Sequence, residues 1–334
     1  MTEPAALLEV RDLQVRLKTE DGELDAVSRV SFTVHEGETL ALVGESGAGK
    51  SVTSLAIMRL LQAGGRSHSA SVAGKIMFRG NPTAPVDLLK LDSAGMRSLR
   101  GRALSMIFQE PMTSLNPVMR VGEQIAEAIH AHETLGHAAA LSRAVDMLRR
   151  VGIPDPPARA RTFPHELSGG MRQRVMIAMA LACHPRLLIA DEPTTALDVT
   201  VQAQVLDLIR GLQREFNMAV LFITHDLGVV AQMADRVAVM YAGKIVEAAP
   251  VDALFADPSH PYTRGLLASM PDAAKAGRAL HPIPGSMPAL SRLPAGCAFH
   301  PRCAAAIASR CDRRQPPSVA TTTVRSVSCW LHAQ

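Results

Sequence analysis

The sequence predicts an α/β protein in which helices cover both faces of a parallel, doubly wound sheet. Short apolar segments alternate along the chain with segments of helical periodicity, and this alternation is typical of such sheets. Polar residues follow directly where each apolar segment ends, and doubly wound sheets bind their ligands at the carboxyl ends of their strands. The 334 residues of the chain suffice for one large domain and a smaller second one.

Three apolar segments are the candidate strands of this sheet. They are TLALVG at residues 39–44, RLLIADEP at 186–193 and AVLFITHD at 219–226. A helical pattern follows the first segment at residues 50–61, and another at residues 199–216 separates the second segment from the third. Because these segments are apolar on both sides, we expect both faces of the sheet to be buried.

Two further regions depart from this alternation. From about residue 92 to residue 180 the sequence has helical periodicity, most clearly over residues 122–153, and no good strand pattern. This region predicts an inserted helical subdomain. Beyond Ala249 the chain becomes rich in proline, which predicts a linker before a C-terminal tail.

Charge and hydropathy argue against several classes of protein. The formal net charge of +4 is too small to indicate a nucleic-acid-binding protein, although the tail beyond residue 276 has seven arginines and one acidic residue. The longest uninterrupted apolar run, residues 175–183, is far shorter than the ~18 residues that a membrane-spanning helix needs. The first residues also lack the pattern of a signal peptide. We therefore expect a cytosolic protein.

The octapeptide GESGAGKS, residues 44–51, predicts a phosphate-binding loop. It fits the pattern G-x-x-x-x-G-K-[ST] and lies between a predicted strand and a predicted helix. Its glycines let the backbone curl so that N–H groups point at phosphate oxygens. Lys50 adds a positive charge near the β- and γ-phosphates, and the Ser51 hydroxyl can bind Mg²⁺. The residues predicted to contact the nucleotide here are Gly44, Ser46, Gly47, Ala48, Gly49, Lys50, Ser51 and Val52.

Two acidic residues, Asp191 and Glu192, follow the apolar part of the second candidate strand. The Asp191 carboxylate can hold Mg²⁺ directly or through water. Since adjacent strand residues point to opposite sides, the two carboxylates need not share one role. We expect Glu192 to be the general base that polarises the water attacking the γ-phosphate.

The segment LSGGMRQR, residues 167–174, places two glycines directly before a long apolar helix. With the phosphate-binding loop and the Asp-Glu pair, it makes the chain resemble the ATP-binding subunit of ABC (ATP-binding cassette) transporters over essentially its whole length. The resemblance implies a P-loop NTPase core with an antiparallel β subdomain and the inserted helical subdomain. It also implies that Ser168, Gly169 and Gly170 bind the γ-phosphate of an ATP held by the opposing subunit of a dimer, where a helix N-terminus meets negative oxygen.

Three other elements of the family match positions of this sequence. Gln109 corresponds to a glutamine whose side-chain oxygen can reach Mg²⁺. The segment 196–198 corresponds to a loop that crosses the dimer interface, and His225 corresponds to a histidine that contacts the γ-phosphate. The expected Mg²⁺ ligands are Ser51, Gln109 and Asp191. The expected catalytic residues are Glu192, His225 and Gln109.

One departure from the family concerns the adenine base. Members commonly stack adenine on an aromatic residue that precedes the phosphate-binding loop, but the first aromatic residue here is Phe32, in a predicted strand. Leu17 and the aliphatic stems of Arg16 and Lys18 are the available substitutes.

The tail resembles the C-terminal extension of the dipeptide, oligopeptide and nickel branch of ABC importers. The matching features are SHPYTRGLL at residues 259–267 and four cysteines separated by five, seven and seventeen residues. The resemblance divides the chain into an ABC ATPase domain at residues 1–258 and an extension at residues 259–334. It also implies a [4Fe–4S] cluster, while zinc and unligated thiols are alternatives at this spacing. The expected cluster ligands are Cys297, Cys303, Cys311 and Cys329. The arginines expected to balance the negative charge of the cluster are Arg302, Arg310, Arg313 and Arg325.

We therefore expect a peripheral ATPase on the cytoplasmic side of the inner membrane that drives an importer of dipeptides or oligopeptides. Its expected partners are a second, identical or homologous ATPase subunit, two transmembrane permease subunits and, through them, a substrate-binding protein. The segment 112–117 is the expected permease contact.

Two alternatives to peptide import follow from the same motifs. Import of nickel or another small solute is the first. A soluble ABC ATPase that acts on nucleic acid is the second, but only 57 residues separate Gln109 from Leu167. That is too short for the long coiled coil of the DNA-repair members, so we expect no nucleic-acid partner.

Overall fold

The computed structural model describes residues 6–19, 22–61, 70–80, 84–109, 114–195, 197–270 and 282–333. The strands, in chain order, are β1 (Leu8–Thr19), β2 (Gly22–Val34), β3 (Thr39–Val43), β4 (Ala70–Phe78), β5 (Val86–Asp87), β6 (Leu104–Ile107), β7 (Leu187–Asp191), β8 (Ala219–Thr224), β9 (Arg236–Tyr241), β10 (Lys244–Pro250), β11 (Val319–Thr322) and β12 (Arg325–Val327). The α-helices are α1 (Lys50–Ile57), α2 (Ser93–Leu99), α3 (Val121–His130), α4 (His137–Arg150), α5 (Pro156–Arg159), α6 (Gly169–Leu181), α7 (Val199–Phe216), α8 (Leu227–Met233), α9 (Val251–Ala256) and α10 (Pro261–Ala268). Short 3₁₀ helices span Leu88–Lys90, Pro164–Glu166, Leu290–Arg292 and His300–Arg302.

A parallel arrangement of strands forms the centre of the molecule. Strands β9, β3, β8, β7 and β6 lie side by side in that order and run in the same direction. Along β7, Leu188 and Ala190 pack into one apolar cluster, whereas Leu187 and Ile189 pack into another. Successive side chains point to opposite faces of a sheet, so a strand covered on both faces is apolar throughout. The predicted α/β fold and its three candidate strands are confirmed.

A separate antiparallel sheet has the strand order β2-β1-β4-β5. Its inward-facing residues, among them Val10 and Phe32, belong to the same apolar cluster as Ile57 of α1 and Leu42 of β3. The antiparallel sheet therefore packs on the element that follows the phosphate-binding loop. This confirms the antiparallel β subdomain that the resemblance implies.

The inserted region is helical over most of its length. In α3, the buried residues Val121, Ile125 and Ile129 recur at the spacing of one helix face, and they pack with α4 and α6. One part of the prediction is wrong, because residues 104–107 form β6 and pair in parallel with β7. Four residues are too few to show a strand periodicity, and hydrogen bonds to a strand that is distant in sequence stabilise their extended conformation.

The C-terminal extension continues the large sheet. Strand β10 pairs antiparallel with both β9 and β12, and β11 pairs with β12. Helices α9 and α10 occupy much of the proline-rich region that was expected to be a linker, so that expectation is corrected. Pro261 is the first residue of α10, where a missing N–H removes no helical hydrogen bond. Among the helices in the described ranges, none combines the length and the apolar character needed to span a bilayer.

Candidate nucleotide-binding site

The predicted phosphate-binding loop connects β3 to α1. Gly44 and Gly49 have φ angles of 154° and 101°, which side-chain-bearing residues rarely adopt. A Cβ atom on Gly44 would lie 2.1 Å from the carbonyl oxygen of Met240, and one on Gly49 would lie 2.5 Å from that of Ala26. Because no side chain fits at either position, the two glycines let the loop lie directly against β9 and β2.

Lys50, the first residue of α1, holds the loop from inside. Its Nζ atom donates hydrogen bonds to the carbonyl oxygens of Gly44 at 2.8 Å and Glu45 at 3.0 Å. Burial lowers the pKa of Lys50, and nearby carboxylates, first among them Glu192 and Asp191, oppose that shift. A partly desolvated ammonium group at the wall of a cavity favours an anionic ligand such as phosphate.

Asp191, the last residue of β7, is buried beside α1. Its carboxylate accepts hydrogen bonds from the Ser51 hydroxyl at 3.1 Å and the Ser54 hydroxyl at 3.4 Å. Burial raises the pKa of Asp191, and Glu192 adds to the shift although Ser51 opposes it. Hydroxyl and carboxylate oxygens in a buried position suit Mg²⁺, which prefers oxygen ligands and offsets the cost of burying the charge. Ser51 and Asp191 would hold such an ion.

Glu192 follows β7 with a φ angle of 47°, in the left-handed region. Its carboxylate accepts a hydrogen bond from Nε2 of Gln109 at 3.2 Å and lies 3.2 Å from Nδ1 of His225. The Thr195 hydroxyl donates a further hydrogen bond at 2.9 Å. The structure thus brings together the three residues that the resemblance implies to be catalytic, just beyond the carboxyl ends of β6, β7 and β8.

The loop and these side chains line one cavity of about 790 Å³. Its polar wall includes the phosphate-binding loop, Gln109, Glu192 and His225. The aliphatic residues that line it are Leu17, Leu24, Ala26, Val43, Val52, Leu227, Leu266 and Leu290. Of the residues predicted to cover the adenine base, Leu17 lines this cavity, whereas Arg16 forms ion pairs with Glu23 and Asp25. Of the predicted loop contacts, Ala48 is fully buried and lies outside the cavity wall.

The segment that contains Ser168, Gly169 and Gly170 lies away from this cavity. Ser168 is the N-cap of α6, and its hydroxyl accepts a hydrogen bond from the Met171 N–H at 3.4 Å. Ser168 and Gly169 are exposed, and a Cβ atom on Gly169 would meet no atom within 4 Å. Packing within this subunit therefore does not require glycine at position 169. The N-terminus of α6 is open to a ligand or surface from outside the subunit.

Two other predicted contacts are only partly described. Ala196 lies outside the described residues, whereas Asp198 caps α7 by accepting a hydrogen bond from the Val201 N–H at 2.9 Å. In the predicted permease contact, residues 112 and 113 also lie outside them. Leu115 of the same segment is buried.

Sequence reasoning missed the contacts by which Tyr262 and Arg302 hold Glu45 of the phosphate-binding loop. The Glu45 N–H donates a hydrogen bond to the Tyr262 hydroxyl at 3.0 Å, and Nη1 of Arg302 contacts the two Glu45 carboxylate oxygens at 3.0 and 3.1 Å. Arg302 was expected to balance the charge of an iron–sulfur cluster, and so was Arg325, which instead pairs with Glu247. The sequence contains no local signal for these contacts, since Arg302 lies 257 positions beyond Glu45.

The four tail cysteines line one small cavity, together with His260 and His300. Burial raises the pKa of the Cys297 thiol to about 11, and the other three cysteines add to this shift. Within the described part of the chain, no set of three or more His, Cys, Asp or Glu side chains is arranged to hold a metal ion. The residue types suit a cluster, but the thiols would have to reorient and lose their protons to bind one.

Comparisons with known proteins agree with this architecture. A family model described as "ABC transporter" matches residues 27–195, and one described as "Oligopeptide/dipeptide transporter, C-terminal region" matches residues 246–311. The chain is 53% identical over 327 residues to the oligopeptide transport ATP-binding protein OppD of Bacillus subtilis, covering 97% of this chain and 88% of that protein. It is 50% identical over 329 residues to the dipeptide transport ATP-binding protein DppD of the same organism, covering 98% and 95%.

A solved structure extends the comparison to three dimensions. The protein cbiO1 from Clostridium perfringens, part of the ABC transporter complex cbiONQ, matches with a TM-score of 0.62 and 26% sequence identity. The match covers 75% of this chain and 91% of that one.

Proposed function

This chain belongs to the family of ABC transporter ATP-binding proteins, and we propose that it hydrolyses ATP to drive the import of peptides. The peptide assignment is supported by the match of residues 246–311 to the oligopeptide/dipeptide transporter C-terminal region. It is also supported by the names of the two Bacillus subtilis relatives, which refer to oligopeptide and dipeptide transport. The single observation that carries the ATPase assignment is the contact of Glu192 with both Gln109 and His225 beside the phosphate-binding loop.

In the proposed reaction, backbone N–H groups of the loop and the Lys50 ammonium bind the phosphates of ATP. Glu192 accepts a proton from the attacking water while the bond between the γ-phosphorus and the leaving oxygen of ADP breaks. His225 contacts the γ-phosphate and Gln109 holds Glu192 in place. Ser51, Gln109 and Asp191 would hold Mg²⁺, which would supply positive charge to neutralise the phosphates.

Ser168, Gly169 and Gly170 complete the site of a neighbouring ATPase subunit, either an identical chain or a homologue. Support comes from the exposure of Ser168 and Gly169 and from their position outside the cavity of their own subunit. The free N–H groups and positive dipole at the start of α6 suit the negative γ-phosphate. Two ATP molecules would then lie between the paired subunits.

The paired ATPases act on two permease subunits from the cytoplasmic side of the membrane, through a surface that includes the segment 112–117. A substrate-binding protein delivers the peptide to the permeases. ATP favours the closed ATPase pair and hydrolysis reopens it, so the permeases alternate between two states. The chain would be a peripheral membrane component.

The four-cysteine cavity is the proposed site of a [4Fe–4S] cluster. The convergence of Cys297, Cys303, Cys311 and Cys329 on one cavity supports this proposal. Protein purified anaerobically from iron-replete cells should be brown and contain about four iron atoms per chain. Cys303→Ser should remove the colour and the iron, whereas Cys183→Ser, outside the tail, should leave both unchanged. Colourless, iron-free wild-type protein from the same preparation would refute the cluster.

Uptake measurements test the proposed cargo. A strain that lacks the gene should be complemented with the wild-type chain, with Glu192→Gln, or with Glu215→Gln as a control for an exposed carboxylate. We expect Glu192→Gln to abolish uptake of labelled dipeptides and oligopeptides, because hydrolysis would no longer power the permeases. Nickel uptake should stay unchanged. Loss of nickel uptake with intact peptide uptake would overturn the peptide assignment.

A further inference from the structure

The C-terminal extension reaches the nucleotide cavity of its own subunit. Leu266 in α10 and Leu290 in the 3₁₀ helix Leu290–Arg292 both line the cavity that contains the phosphate-binding loop. Met287 lies against the loop itself, because a Cβ atom on Gly47 would be 3.1 Å from its Cε atom. The segment 287–290 therefore runs beside the nucleotide site.

This segment supplies apolar surface where the chain lacks an aromatic residue. Leu17 of β1 and Leu24 of β2 line the same cavity, and both are half-buried. Leu290 is also half-buried and packs against the apolar cluster that contains Tyr241, Tyr262 and Phe299. Aliphatic side chains of this kind can cover the faces of a purine ring by hydrophobic contact, without any stacking partner.

One arginine connects the phosphate-binding loop to the backbone just before the segment 287–290. Only 7% of the Arg302 side chain is exposed, and its Nη1 atom contacts the Glu45 carboxylate in the loop. Its Nε and Nη2 atoms donate hydrogen bonds to the carbonyl oxygens of Pro284 at 2.9 Å and Gly285 at 3.2 Å. A planar guanidinium with donors on both sides can keep two backbone segments in a fixed relation. Arg302 thus keeps the backbone that leads into the segment 287–290 next to the loop.

We propose that Leu290 of the C-terminal extension contacts the nucleotide base, and that Arg302 is a positioning residue that keeps Leu290 near the phosphate-binding loop. The proposal rests on the proposed nucleotide site and adds to it a wall that the extension of the same chain supplies. Leu17 and Leu24 form the apolar surface contributed by the antiparallel sheet. The extension is then part of the ATP site as well as an addition to the sheet edge.

The experiment compares a ligand that has the base with one that lacks it. ADP and pyrophosphate share the diphosphate, and neither has a γ-phosphate that could be hydrolysed. Calorimetric titration of the full chain with each ligand, in the presence of Mg²⁺, therefore gives both dissociation constants. Leu290→Ala should raise the dissociation constant for ADP about five- to tenfold, since it removes apolar contact area from the base. The constant for pyrophosphate should stay the same. The matched control is Leu293→Ala. Leu293 lies three residues further along the chain, is 36% exposed and does not line this cavity, so its substitution should change neither constant.

Each result separates this inference from the proposed function. Wild-type chain that binds neither ligand would refute the nucleotide site itself. Wild-type binding with unchanged ADP affinity in Leu290→Ala would overturn only the base contact. An equal loss of ADP and pyrophosphate binding in Leu290→Ala, or an equal effect of Leu293→Ala, would also overturn it, because either result indicates a general disturbance of the fold.

The role of Arg302 is tested by a double-mutant cycle. Arg302→Met should weaken ADP binding, and adding Leu290→Ala should weaken it little further, because both changes remove the same contact. Fully additive losses would refute the positioning role of Arg302, since independent effects add for residues that do not act through one another.

Discussion

Glu192 reaches its position through an uncommon backbone conformation. A left-handed conformation costs a non-glycine residue about 1 kcal/mol or more, and Glu192 adopts it with a φ of 47°. Its carboxylate contacts Gln109 and His225, while that of Asp191 faces the Ser51 hydroxyl. The strained residue thus separates two adjacent acids into one that suits a cation and one that suits proton transfer.

Replacing Glu192 by glutamine tests this division of roles. Glu192→Gln keeps the size of the side chain, but it removes the proposed base that accepts the proton from water. We expect ATP binding close to that of the wild type and hydrolysis slower by about 10² to 10⁴-fold. Single-turnover release of phosphate at saturating ATP measures the effect. A near-normal rate would mean that another group is the base.

Site residues are predictable from the sequence where a local pattern contains them. The loop glycines, Lys50 and Asp191 follow from short patterns with a known spacing. The pairing of Glu45 with Arg302 does not, because it joins positions 257 residues apart and neither residue type specifies such a partner. The left-handed φ of Glu192 was also not predicted, since glycine is the residue that usually adopts it.

Among the secondary-structure elements, strand β10 carries the buried acid that attaches the C-terminal extension. Glu247 is fully buried and accepts hydrogen bonds from the Ser259 and His260 N–H groups and from Arg325 of β12, each at 2.8 Å. Burial alone would raise the pKa of Glu247, but Arg325 and the two N–H groups hold it below its usual value. One carboxylate therefore connects β10, β12 and the residues that begin α10.

Arg325→Met tests the strength of this attachment. The substitution leaves the Glu247 charge buried without its cationic partner, which should lower the free energy of unfolding by about 3 kcal/mol. Urea denaturation of the full chain measures the change. Arg149→Met removes an exposed ion pair with Asp146 and should change the free energy by less than about 1 kcal/mol. Equal effects of the two substitutions would contradict a structural role for the buried pair.

The sequence predicts long periodic elements better than short ones. The helix predicted at residues 199–216 is observed as Val199–Phe216, and Asn217 ends it in the left-handed conformation. Strand β6 was missed because four residues carry no clear period. Strand β12 depends on pairing with β10, which lies far away along the chain, and β11 in turn pairs with β12.

At the scale of the whole molecule, the two halves of the expected ATP site lie apart on one subunit. The phosphate-binding loop faces its cavity with Lys50, Glu192 and His225, whereas Ser168 and Gly169 are exposed elsewhere. The sequence predicts the overall α/β architecture because its apolar segments and motifs agree with one topology. The contact across two subunits follows only from the resemblance, because a single chain does not contain it.

Mixing two inactive variants tests most directly whether neighbouring subunits share each site. Lys50→Ala removes the ammonium group proposed to bind phosphate but leaves Ser168 intact. Ser168→Arg blocks the proposed contact of Ser168 with the neighbouring site but leaves Lys50 intact. Each purified variant alone should therefore be almost inactive. An equal mixture should recover about a quarter of the wild-type ATPase rate, because half of the dimers are mixed and each has one intact site. No recovery, from folded variants that form mixed dimers and with Ser168→Arg still binding ATP, would contradict a site completed by the neighbouring subunit.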